Sequence, residues 1–435
     1  MPDPPRLDDV LDRLDARINW ERRDRSSGWR VDLAPMVDLV ARAGGSSRGF
    51  SLCHVAGSKG KGSVANLVAA GLIRAGLRVG VFGSPHVERI NERIRIDGEP
   101  LGDEPLAAAL AASLELVEEA EEAGTDGAEA SWFDIVTLAG LWAFREAGVD
   151  WAVLEVGLGG RLDSTNVIDP PAVAVVTTIA LEHTAILGDT LAAIAREKGG
   201  IVKPGSPLVT GTPPGGEAHG ALAEIAERVG VEHVVAWSRA DRTFDEANAR
   251  VARAALDVLG RDVPGLGGEL LTPDVIRAAR LPGRMEWLTC GPVRVLLDGA
   301  HVPSSLEMAV GEALGVAQDQ ASARWGAVVA IHGEKDLREL LRPLAARDFK
   351  RVFATTVPGT GVHHAAAAVA QAADALGLEA EVHDLPEGAL RSALEWAEED
   401  GADPVSGAPA GVMVTGSLYL VGALRARLQA PTNPG

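Results

Sequence analysis

The chain has 435 residues, 46% hydrophobic and 23% charged, with a formal net charge of −20. That length exceeds one ordinary core, so two domains are expected. The acidity argues against a general nucleic-acid or anionic-membrane binder. Only two cysteines occur, Cys53 and Cys290, which implies no disulfide framework and fits the reducing cytosol. No signal-peptide pattern or apolar run of about 20 residues appears, so a cytoplasmic protein without a membrane partner is expected.

Met1–Pro5 reads as a tail. Leu7, Val10, Leu11, Leu14 and Ile18 have helical spacing, and a second helix is expected over Trp29–Ala43. Phe50–Ala56 reads as a strand that runs into Gly57-Ser58-Lys59-Gly60-Lys61-Gly62-Ser63, with an apolar-periodic helix from Val64. A strand, a turn of small residues, a lysine and a helix start make a phosphate cradle. Backbone N–H groups point inward, and Lys61 supplies a point charge for β- and γ-phosphates.

Arg78–Phe82 is a short strand ending at Gly83-Ser84-Pro85-His86, and Arg89–Glu99 becomes an alternating strand closed by an Asp-Gly turn. Helices are expected over Leu106–Glu122 and Asp134–Ala147, then strands over Trp151–Val156 and Ala172–Ile179. Strands alternating with helices predict a mainly parallel sheet covered on both faces. Ligands of such sheets lie at the carboxyl ends of the strands, where the cradle, Ser84, Glu155 and His183 fall. Helices follow at Ala221–Val229 and Asn248–Leu259, and Leu281-Pro282-Gly283-Arg284 looks like a junction. From about Cys290 a second α/β unit is expected, with strands at Arg294–Asp298, Trp325–Ile331, Arg351–Thr355 and Gly411–Thr415.

The cradle resembles the G-T-x-G-K-G-S turn of the folylpolyglutamate synthase and dihydrofolate synthase family, within the Mur ligase superfamily. Further blocks resemble that family in the same order, over roughly residues 7–425. They are Ser84-Pro85-His86 with Arg89–Ile96, Leu154–Asn166, Glu182-His183-Thr184, Arg196-Glu197-Lys198, Pro282-Gly283-Arg284, Asp298-Gly299-Ala300-His301 and Thr415–Leu420.

The resemblance implies an α/β architecture: a P-loop parallel-sheet ATPase domain over 1–284, then a smaller Rossmann-like domain over 285–435. It implies an ATP-dependent amide ligase joining L-glutamate to dihydropteroate or a folate through an acyl phosphate. Gly57, Ser58, Lys59, Gly60, Lys61, Gly62, Ser63, Asn248, Arg284 and Asp298 are implied to bind ATP. Ser84, Glu155, His183 and Lys198 are implied to hold two Mg²⁺ ions, Lys198 as a carbamate derived from CO₂. Lys61, Lys198, Asp298 and His301 are implied to be catalytic, with Phe133, Asp163 and Ser164 near the pterin. The resemblance also implies a monomer acting on small molecules.

The chain departs from the family at Val302, at Glu182, at Ser131–Asp134, at Gly199 and at His363-His364, and before Asn248. A superfamily ligase with another acid or amine is therefore the second reading, and a nucleotide-binding regulator without turnover is the third. A peptidoglycan-precursor ligase is disfavoured by the short stretch before the cradle.

Overall fold

The computed structural model describes residues 5–19, 32–45, 49–241, 243–317, 324–333, 335–347, 349–358, 363–399 and 410–429. The expected tail at 1–4 and the beginning of the second helix at 29–31 lie outside the described residues. The chain divides into two compact units, Met1–Arg280 and Leu281–Gly435.

The first unit opens with α1 (Leu7–Asp15) and α2 (Ala34–Arg42). Then come β1 (Ser51–Ala56), α3 (Lys61–Arg74), β2 (Val79–Phe82), β3 (Ile94–Ile96) and β4 (Glu99–Pro100). Helices α4 (Asp103–Ala123) and α5 (Trp132–Ala147) lead to β5 (Trp151–Glu155) and β6 (Val173–Val176). The unit continues through α6 (Thr184–Leu187), α7 (Leu191–Gly199), β7 (Leu208–Thr210) and α8 (Glu217–Val229). It closes with β8 (His233–Val235), α9 (Phe244–Leu259) and α10 (Pro273–Ala278).

Its sheet has the order β4-β3-β2-β5-β1-β6-β7-β8. The pairs from β2 to β8 are parallel, while β3 and β4 form an antiparallel edge. Alternate residues of a strand face opposite sides of the sheet. Leu52 of β1 accordingly joins one core with Leu14, Leu39, Leu110 and Phe144. Cys53 and Val55 join another with Val64, Val68, Leu72 and Leu256. The chain leaves β1 toward β2 and β5 on one side and β6 on the other, which opens a crevice at the carboxyl end of β1.

The second unit contains β9 (Glu286–Cys290), β10 (Val293–Leu297), α11 (Pro303–Ala317), β11 (Trp325–Val329), α12 (Leu337–Ala345) and β12 (Phe349–Ala354). After them come α13 (Ala366–Asp374), β13 (Glu379–Val382), α14 (Pro386–Glu398), β14 (Gly411–Thr415) and α15 (Leu418–Gln429). Its sheet runs β13-β12-β11-β14-β10-β9, parallel except for β9. The sequence reading gave no strand before Arg294. β9 precedes it, so Asp298 follows the second strand of this unit, not the first.

Candidate active site

Local chemistry builds the phosphate turn. Gly57 has φ 145°, and a Cβ there would lie 1.8 Å from Thr177 Oγ1. Gly60 is left-handed at φ 82°, and a Cβ there would lie 2.2 Å from Asn248 Oδ1. Neither position can carry a side chain without moving its neighbour. The turn is fastened to the segment after β6. Ser58 N donates to Thr178 O at 2.7 Å, and Thr177 Oγ1 donates to Lys59 O at 2.6 Å. Ser58 Oγ donates to Ala180 O at 3.2 Å and accepts from Ala180 N at 3.0 Å.

The helix begins at Lys61, earlier than the Val64 start read from the sequence, and runs 14 residues. The amides of Lys61, Gly62 and Ser63 therefore belong to a helix N-terminus, which has no preceding carbonyls to meet them. An anion such as a phosphate suits that position. Asn248 lies on α9 and reaches this turn.

Lys198 lies near the end of α7 and is 1% exposed. Its Nζ donates to Gly57 O at 3.0 Å and meets Glu182 Oε1 at 2.9 Å. Burial, reinforced by the Lys61 charge, lowers the Lys198 pKa from 10.5 to about 8. Burial pushes Glu182 the opposite way, but Lys198, Lys61 and Lys59 outweigh it and hold the carboxyl below its ordinary value. Three lysines thus converge electrostatically on one acidic side chain beside the turn. From the sequence, Glu182 counted only as a departure from the family; its ion pair joins residues 16 positions apart and had no local signal.

Glu155 ends β5, and its Oε2 accepts from Ser84 N at 3.1 Å. A carboxylate and a hydroxyl at adjacent strand ends are hard oxygen donors suited to Mg²⁺. His183 is exposed and left-handed at φ 47°, at the start of α6. Among the described residues, no three His, Cys, Asp or Glu side chains form a metal-holding group. Ser84 and Glu155 are the pair that fits the ion. Lys198 fits it only after conversion from ammonium to carbamate.

Phe133 packs edge-on against Phe82, ring centroids 5.8 Å apart, and lies so close to Gly157 that a Cβ there would be 2.6 Å from its ring. Ser131 caps α5 in a reciprocal capping box with Asp134, which gives this departure from the family a local structural role. Ser164 Oγ donates to Asp134 Oδ1 at 2.5 Å. Asp163 accepts from Leu158 N at 2.8 Å and from Thr165 N at 3.0 Å, so its carboxylate is engaged by its own loop.

Within the second unit, Asp298 is buried and accepts from Met285 N and Ala300 N, each at 2.9 Å. His301 Nδ1 donates to Gly299 O at 2.9 Å. Gly283 N donates to Glu286 Oε2 at 2.7 Å, and Glu286 pairs with Arg425. Arg284 follows directly and is half-buried.

Residues 283–418 match the Mur ligase, glutamate ligase domain family. The chain is 34% identical to the folylpolyglutamate synthase of Lacticaseibacillus casei over 428 residues, covering 90% of this chain and 93% of that one. An Escherichia coli structure in complex with DHPP and ADP superposes with a TM-score of 0.81 at 28% identity, over 98% of this chain and 99% of that one. A Yersinia pestis bifunctional folylpolyglutamate synthase/dihydrofolate synthase complexed with AMPPNP and Mn ion gives a TM-score of 0.78 at 28% identity, over 97% and 98%.

Proposed function

The chain belongs to the folylpolyglutamate synthase/dihydrofolate synthase family, and we propose on that premise that it is an ADP-forming ligase coupling L-glutamate to dihydropteroate or a folate. The carrying observation is the hydrogen bond from Lys198 Nζ to Gly57 O, which puts a buried lysine against the glycine-rich turn that opens α3.

In the proposed reaction a carboxylate oxygen of the acid attacks the γ-phosphorus, and the bond to ADP breaks. The glutamate amine then attacks the acyl carbon, phosphate leaves and the amine loses a proton. Phosphoryl transfer asks the protein chiefly for positioning and positive charge. The amides of the turn bind the phosphates, and Lys61 neutralises charge at the transferred group. Ser84 and Glu155, with His183, would hold a divalent cation, which would supply positive charge to the phosphates. A carbamate on Lys198 would supply a further oxygen ligand. Phe133 and Ser164 are assigned to the pterin end of the acid, and Asn248 to the nucleotide beside Gly60. Arg284, Asp298 and His301 are assigned to the reaction from the second unit, and the protein is assigned to the cytoplasm as a monomer.

The test is ADP release with a panel of acids and amines. Release that requires both L-glutamate and dihydropteroate or a reduced folate is expected. Release with an unrelated acid alone would move the protein to a different ligase of the superfamily, and none with any pair would make it a regulator.

A further inference from the structure

His54 lies on β1, three residues before the phosphate turn, and is fully buried. Its Nε2 is 2.8 Å from Thr165 Oγ1, which donates to Asp163 Oδ1 at 2.5 Å. A threonine hydroxyl has one proton. Because Thr165 gives that proton to Asp163, the imidazole must donate from Nε2, which fixes the tautomer with Nδ1 unprotonated. Nδ1 is buried without a hydrogen-bond partner among the described residues, a smaller cost for a bare lone pair than for an N–H. Burial, with the Lys203 charge, pushes His54 down to about 3, so the ring is neutral at neutral pH.

The carboxylate at the end of this chain organises the loop over 157–166, which grips two parts of the site. On one side Arg161 N donates to Glu197 O at 2.8 Å, and Asn166 Nδ2 donates to Gly200 O at 3.2 Å. Gly160 lies so close to α7 that a Cβ there would be 2.8 Å from Lys198 O. On the other side Ser164 Oγ donates to Asp134, the residue after Phe133. One loop therefore spans from Lys198 to Phe133, and its central carboxylate is pinned from β1. The phosphate turn meets this assembly at Lys198, whose Nζ donates to Gly57 O, and is otherwise fastened through Thr177, Thr178 and Ala180.

We propose that His54 is a positioning residue for ligation, acting through Thr165 and Asp163 on the 157–166 loop to place Lys198 and the acid while leaving nucleotide binding to a turn held mainly by its own anchors after β6. This rests on the ligase reading above.

The experiment compares full-length His54→Leu and His54→Gln with wild type, at a temperature well below each variant's melting point. Acid and nucleotide are varied separately, and MgATP affinity is measured by calorimetry. His54→Leu is expected to bind MgATP within about twofold of wild type, while kcat falls about tenfold or more and KM for the acid rises. His54→Gln, whose amide N–H can replace the imidazole donor, is expected to recover most of both. Where His54→Leu fails to fold, Thr165→Val against Thr165→Ser reads the same split. The relay is overturned if folded His54→Leu keeps kcat and acid KM within about twofold, or if His54→Gln is no better than His54→Leu. It is also overturned if MgATP affinity falls in step with kcat. A wild-type protein without glutamate-dependent ADP release would instead overturn the ligase reading, and this inference with it.

Discussion

Lys198 combines near-complete burial with an ion pair to Glu182, and the two act oppositely on its proton. Burial wins: the folded pKa falls to about 8 from 10.5. Across that window the unfolded chain binds more protons than the folded one, so stability rises with pH between them. Below it, the buried ammonium weighs against folding. Lys198→Met is therefore expected to flatten the rise of urea midpoint with pH over that range; an unchanged slope would assign it to other groups. A neutral amine is also the form that captures CO₂. Protein prepared in bicarbonate is expected to carry a carbamate on Lys198, and Lys198→Ala to regain activity with short carboxylates. An unmodified side chain in nucleotide-bound crystals grown with bicarbonate would remove the carbamate. Lys61→Ala is expected to fold normally and lose about 10²–10³-fold in turnover, the scale of removing one preorganised charge contact from a transition state. ADP release near the wild-type rate would take Lys61 out of the cradle.

The phosphate turn is the element on which the site depends, and its two positive-φ glycines make it testable. Gly57→Ala places a Cβ against Thr177 Oγ1 at a backbone angle that side chains rarely adopt. It is expected to cost about 3 kcal/mol in a denaturant melt and to abolish MgATP binding. Gly49→Ala, left-handed but with open space around it, is the control and is expected to keep nucleotide binding. This turn was legible in the sequence because glycine, lysine and a following helix are local signals. Lys198 was not: Arg196-Glu197-Lys198 read alone suggests an exposed helix lysine, and only the resemblance drew it into the site. The pairs Lys198–Gly57 and Asn248–Gly60 join elements far apart in sequence, so no spacing announces them. The strands passed over include β7, which is buried but only three residues long, and the edge strands β8, β9 and β13 with mixed half-buried patterns, against the longer, fully buried β2, β5 and β6 that were read easily. Edges carry one covered side, and their alternation is weak over three to five residues.

At the scale of the molecule, two α/β units each have their own sheet and core, and among the described residues no helix is long and apolar enough to cross a membrane. Ligation is proposed to draw on both units. Asp298→Asn in the full chain keeps an acceptor for only one of the two main-chain amides it caps, since its NH2 faces the other. It is expected to melt somewhat below wild type while losing at least tenfold in turnover by the loss of one charge. Equal losses in stability and turnover would make Asp298 a turn-forming residue only. In the proposed reaction the carboxylate is activated by phosphoryl transfer before the amide forms. Supplying dihydropteroate with ¹⁸O in both carboxylate oxygens, together with ATP and L-glutamate, tests this directly. One labelled oxygen is expected in the inorganic phosphate for each amide formed. Amide product accompanied by unlabelled phosphate would contradict it.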